Sequence, residues 1–263
     1  MQGHLELGGG ALRAFSIGIG VSSDEGQATE PIGRCSLDCR EAIMKIVFSI
    51  VLLAASAGLL GSGSLVRAAD PLQSDPAHHR SEFENPYFRV DRGFFGPGEI
   101  AADFFDAEAV VIVALTPMRM RLHLPDGKFV DPPPVAAGAA IWAPAGRIRP
   151  QNLLDQRIEF VIVMPRGANG ASARVGADPL KVDADHWKVE VDNEAVRALR
   201  YRGDPHGKGV MHGHPAQAVV FLSYAKTLSP KSDGASSISV RKAGEVISVG
   251  AGEHAPELAR RSG

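Results

Sequence analysis

Met211-His212-Gly213-His214-Pro215 places two histidines two residues apart, just ahead of the apolar run Ala218 to Ser223. On an extended segment residues i and i+2 point to the same side, so both imidazoles can reach one ion. The pair alone is a weak signal, because among 9 histidines in 263 residues about 0.3 such pairs arise by chance. Further along, Gly244-Glu245-Val246-Ile247-Ser248-Val249-Gly250-Ala251-Gly252-Glu253-His254 reads as a strand, a glycine turn and a third histidine. Glu253 and Glu257 flank it, where either can serve as an outer hydrogen-bond acceptor or face solvent. The other histidines read as bystanders. His78-His79 lies in a polar stretch expected to be a flexible tail, His123 falls on the wet face of an alternating strand, and His186 and His206 stand outside the motifs.

Elements that could position such a site recur twice. Glu84-Asn85 to Val90 matches Asp192-Asn193 to Ala198 at an offset of 108, and Ala109 to Ile112 matches Ala218 to Phe221 at 109. Gly138 with Pro144-Ala145-Gly146 and Pro150 matches Gly244 with Gly250-Ala251-Gly252 and Pro256 at 106. Three landmarks in one order at nearly constant offset indicate a duplicated domain. In the first copy Tyr87–Phe95, Ala109–Leu115, Met118–Leu124, Ala139–Ala143 and Arg157–Met164 are short runs rich in β-branched and aromatic residues. Matching runs in the second are Trp187–Val191, Val196–Arg202, Ala218–Ser223, Ser236–Arg241 and Glu245–Val249. Pro125-Asp126-Gly127 is a turn, Pro132-Pro133-Pro134 belongs to a loop or an edge, and Ser229 to Ala235 is a polar loop. Many short strands with almost no helical period predict an all-β fold, a sandwich or jelly-roll barrel. The copies span residues 81–166 and 180–263, with the Gly- and Ala-rich stretch Arg166 to Pro179 as the boundary.

With His-x-His followed by a strand, a glycine turn and a third histidine, the chain resembles the cupin superfamily, whose first motif is a glycine followed by His-x-His. The resemblance covers both halves from about Ser81 onward and implies two tandem cupin barrels. Carried over residue by residue, it makes His212, His214 and His254 the three histidine ligands of one divalent transition metal, Fe, Mn, Ni, Cu or Zn. The family's carboxylate ligand is missing. Ala218 and Val219 occupy its place, and Gln217 is the nearest oxygen donor. In the first copy the same offsets put Asp103, Phe105 and Ile148 at the three histidine positions, a set that cannot hold a metal. The resemblance implies a metal- or small-molecule-binding protein, or alternatively a metal-dependent dioxygenase or isomerase.

The net charge of -2 and the lack of a basic cluster interleaved with aromatics exclude a nucleic-acid partner. Cysteine occurs only at Cys35 and Cys39, so the body has neither a disulfide framework nor a thiol nucleophile. Met44-Lys45, the apolar run Ile46 to Leu60 and the small-residue end Val66-Arg67-Ala68-Ala69 form an export signal cut after Ala68 or Ala69. The expected product is a periplasmic or extracellular protein with no membrane insertion after cleavage. Residues 1–43, rich in Gly and Ser without a period, are expected to be a disordered leader or to precede the true start at Met44. The second copy ends shortly after Pro256, where the first continues into Arg157 to Met164. It is therefore expected to lack its last strand, through a frame error near Leu258 or by nature, and its open edge would invite a homodimer.

Overall fold

The computed structural model describes residues 12–18, 70–166, 175–204, 207–230, 236–255 and 257–258. The expected export signal, Cys35, Cys39 and His206 lie outside these residues. Strand β1 (Leu12–Gly18) comes first, a regular element in a stretch whose composition gave no period to expect one. Each copy then begins with a single helical turn, α1 (Pro71–Ser74) and α2 (Pro179–Val182). Asp70 and Asp178 cap these turns, their carboxylates accepting from the Leu72 and Leu180 amides, with proline at the first helical position. The same caps accept from Arg89 and Arg197 respectively.

The first copy contains β2 (His79–Glu84), β3 (Phe88–Phe95), β4 (Phe105–Ala107), β5 (Val110–Ala114), β6 (Met120–His123), β7 (Phe129–Val130), β8 (Ala140–Ala143), β9 (Gly146–Asn152) and β10 (Ile158–Pro165). They form two antiparallel sheets, ordered β2-β3-β10-β5-β8 and β4-β9-β6-β7. The second copy repeats them as β11 (Trp187–Asp192), β12 (Arg197–Gly203), β13 (His212–His214), β14 (Gln217–Phe221), β15 (Ala225–Pro230), β16 (Ser236–Arg241), β17 (Val246–Val249), β18 (Gly252–His254) and β19 (Glu257–Leu258). Its sheets are β11-β12-β1-β14-β17, β13-β18 and β16-β15-β19. The counterpart of β9 is thus split into β18 and β19, and β1 stands where β10 stands in the first copy. Gly127 has φ 82° and closes the Pro125-Asp126-Gly127 turn, as its neighbours predict.

His78-His79 is not a tail. The His78 ring stacks on Phe95 at 4.4 Å and its Nδ1 meets Asp75, while His79 opens β2 and is buried. The first barrel therefore begins at Asp70, ahead of Ser81. The polar flanks that suggested solvent instead cap α1, and the histidines lie inward of it.

One apolar core joins the copies: Phe88, Val90, Val111, Val113, Val161 and Val163 from the first pack with Val191, Val196, Ala198, Ala218 and Val220 from the second. Around it the contacts are reciprocal. Arg92 is held by Glu82 and donates to the carbonyl of Gly244, while Arg200 is held by Glu190 and donates to the carbonyl of Gly138. Gly138 and Gly244 have φ of 74° and 82°, a left-handed conformation that a side chain disfavours. Each glycine turn thus presents its carbonyl to the other copy's arginine.

Candidate metal centre

His212 and His254 face each other across the β13-β18 pair, and His214 faces Gly252. Antiparallel partners and i, i+2 neighbours share a face of the sheet, so strand geometry alone gathers the three imidazoles. The centroid of the His254 ring lies 4.7 Å from that of His212 and 4.8 Å from that of His214, and His212 and His214 are 6.5 Å apart. His212 and His214 are buried, whereas His254 reaches solvent on the outer strand. Gly213 between them is required by packing. Its amide donates to the Ala177 carbonyl, and a Cβ there would fall on the Val175 carbonyl.

The protonation pattern suits ligation. His212 Nδ1 donates to the Val210 carbonyl and His214 Nδ1 to the Pro215 carbonyl, both at 2.9 Å. A carbonyl only accepts, so the proton is fixed on Nδ1 and Nε2 carries the lone pair. Burial, with the neighbouring His214 adding to it, pushes the His212 pKa down, and partial desolvation of the side of the His254 ring that faces the barrel, followed by His212 and His214, pushes His254 down to about 4 although its outer edge reaches solvent. All this favours neutral, ligand-competent rings near neutral pH. As they stand, no three His, Cys, Asp or Glu side chains among the described residues are arranged to hold a metal ion.

The remaining sequence candidates stand on β14, β18 and β19. Gln217 opens β14 and is buried. Glu253 stands opposite Gly213, between the two histidine positions, so alternation turns it to the other face. There its carboxylate packs against Gly176. Glu257 pairs with Lys208, its Oε2 3.7 Å from Nζ. His186 meets Asp183 at 2.6 Å, which raises its pKa.

In the first barrel Phe105 pairs with Ile148 as His212 pairs with His254, and Ala107 pairs with Gly146 as His214 pairs with Gly252. The counterparts of the three histidines are therefore Phe105, Ala107 and Ile148. Asp103, placed there by an offset of 109, precedes the strand and is exposed, and among the described residues its carboxylate accepts from the adjacent Phe104 amide. The offset is 108 up to β12, 107 at β13 and 106 from Gly244 onward, because the second copy loses a residue in successive loops; a single offset misplaces β4.

Sequence reasoning passed over Trp187. Its ring meets His212 edge-on at 5.0 Å and packs on Tyr201 at 4.8 Å, and its Nε1 is buried without a hydrogen-bond partner. Tyr201, Phe221 and Ala225 form a small core with Trp187, Val219 and Ile247, and burial pushes the Tyr201 pKa up to about 12. The trio therefore stands beside an apolar, aromatic wall. That Trp187 is one of only two tryptophans was the available signal.

On strand order alone the protein is all-β, two tandem barrels of jelly-roll type. No family model and no curated protein matches the chain. Solved structures similar to it include a variant of oxalate decarboxylase from Bacillus subtilis, at 15% identity over 89% of this chain and 82% of that one, TM-score 0.44. A cupin domain from Bordetella pertussis matches at 21% identity over 33% of this chain and 90% of its own, TM-score 0.30. A polyketide cyclase from Streptomyces resistomycificus matches at 21% over 41% of this chain and 80% of its own, TM-score 0.28.

Proposed function

We propose that the second barrel binds one divalent transition metal through His212, His214 and His254, in an exported protein that handles a small molecule. The observation that carries this reading is the set of adjacent imidazoles, two of them fixed by backbone carbonyls with Nε2 left to coordinate. Binding needs the rings to turn toward one point, a side-chain motion that the solvent-facing position of His254 allows. Three neutral nitrogens, with Gln217 the oxygen donor nearest in sequence to the place of the missing carboxylate, suit Fe, Mn, Ni, Cu or Zn and leave coordination positions for water or a substrate. The export signal at Met44–Ala69 supports a periplasmic or extracellular location.

A catalytic version of the same site, a dioxygenase or isomerase, is favoured by one observation. The unpartnered Trp187 Nε1 lies beside His212 within an apolar wall, where a small substrate would find both an apolar surface and a hydrogen-bond donor. A bound metal would supply Lewis acidity or an O2-binding position. The chain's own part is to orient the substrate against Trp187 and Tyr201 and to exclude bulk water. Metal analysis of the purified protein, followed by a screen of thiol and small aromatic substrates for oxygen uptake, separates the readings. One metal per chain without turnover supports binding, and turnover lost in His212→Ala supports catalysis. Absence of metal after reconstitution with each of the five ions contradicts both.

A further inference from the structure

β1 occupies the second barrel in the register that β10 has in the first. β10 lies between β3 and β5, with Ile158 opposite Phe95 and Phe160 opposite Ala114. β1 lies between β12 and β14, with Leu12 opposite Gly203 and Ala14 opposite Phe221. All four pairings are antiparallel, and Leu12 to Gly18 thereby align with Ile158 to Met164. The residue types agree with that alignment. Ile158, Phe160, Val161, Val163 and Met164 are buried, and their counterparts are Leu12, Ala14, Phe15, Ile17 and Gly18, all apolar or lacking a side chain. Glu159 and Ile162 are half-buried, and Arg13 and Ser16 stand at their places.

We propose that the second barrel is a strand acceptor whose groove between β12 and β14 is filled by the chain's own N-terminal segment, Leu12–Gly18, as a donor strand. A groove open between two strands presents unpaired amides and carbonyls on both sides, and an extended segment of matching pattern satisfies them. Gly18 of the donor pairs with Gln217, three residues after His214. The Met44–Ala69 segment lies between donor and acceptor in the sequence, and the pairing proposed is that of the uncleaved chain.

The test uses the full chain with Cys35→Ser and Cys39→Ser as background. Ser16 faces Val219 across the β1-β14 pair, so the Ser16→Cys/Val219→Cys protein should form an intrachain disulfide on mild oxidation. The Ser16→Cys/Ala218→Cys protein, one residue out of register, should not, because a one-residue shift turns the side chain to the other face. Failure of the in-register pair to link, or links formed only between two chains, overturns the proposal. Ser16→Pro removes a ladder amide from a central strand and should lower the melting temperature by several degrees. A third arm places a specific protease site between residues 19 and 43 and cuts the folded protein. The N-terminal fragment should co-elute with the barrels and separate only in denaturant, and its free elution under native conditions overturns the proposal. His212→Ala, which removes the metal site, should leave the cross-link unchanged, so this proposal and the metal reading fail separately.

Discussion

The two barrels share one framework and differ in what they place at the β4-β9 and β13-β18 pairs. The first packs Phe105 and Ile148 there, next to Met118, Met120 and a buried His79. The second gathers three imidazoles beside Trp187. His79 and Trp187 occupy the same place at the start of β2 and β11, and each ring meets the residue on the neighbouring strand edge-on, His79 with Phe105 at 5.6 Å and Trp187 with His212 at 5.0 Å. Histidine and aromatic have changed sides. Filling the first lumen with apolar side chains gives stability, while opening the second to polar groups needs local support. That support is visible at Gly213, where the backbone of residues 175–177 closes over the site; the first barrel has Asp106 at the corresponding position.

The strongest way to break the comparison is at the shared core. Phe88 and its counterpart Val196 are 0% and 1% exposed. Phe88→Ala should cost about 3–5 kcal/mol and Val196→Ala about 2–3 kcal/mol, measured by chemical denaturation. Equal, small losses would mean that the copies do not share one core. The His79 pocket comes next. Burial pushes the His79 pKa down to about 4 and leaves both ring nitrogens without partners. The folded state thus prefers neutral His79, while the unfolded chain takes up its proton near the ordinary value of about 6.5. Stability is full above that pH and falls as the pH drops toward about 4, by on the order of 3 kcal/mol. His79→Leu should flatten that part of the pH profile, and an unchanged slope would place its source elsewhere.

Gly213→Ala should cost about 1–3 kcal/mol, because the new methyl group meets the Val175 carbonyl. Asp106→Ala, at the matching position in the first barrel, should change stability by less than about 0.5 kcal/mol. A thermal-shift comparison of the two variants reads that difference directly. The smallest expected effect is at Asp103, which is exposed and accepts from the adjacent Phe104 amide. Asp103→Ala should change neither stability beyond about 0.5 kcal/mol nor metal binding, checked by the same assays.

Much of this was legible in the sequence because strand patterning is local. Val110–Ala114, Ala140–Ala143, Ile158–Pro165 and Val246–Val249 lie within a residue of where β-branched runs predict them. The His212/His214 face follows from the two-residue period of a strand, and in the structure His254 stands opposite His212. Short strands such as Phe105–Ala107 and Gly252–His254 were missed, since three residues between turn formers carry no period. The clearest repeat, Asp70-Pro71-Leu72 against Asp178-Pro179-Leu180, went unread, with Asp178-Pro179 assigned to the boundary between the copies, because the caps it encodes precede the apolar runs. β1 was illegible because its pairing partners, Arg197–Gly203 and Gln217–Phe221, are remote in sequence, and nothing local distinguishes a strand that completes a distant sheet.

The central claim is that the imidazoles of the second barrel, and no group of the first, form one metal site. The most direct test is titration of the metal-stripped full chain with Zn(II) and Mn(II), monitored by calorimetry at pH 7.5 and pH 5.5. One ion per chain should bind at pH 7.5 and still bind at pH 5.5, since the His212 pKa is lowered and that of His254 held at about 4, and none should bind in the His212→Ala/His254→Ala protein. Undiminished binding in that double variant, or a stoichiometry of two in the unaltered chain, would contradict the account.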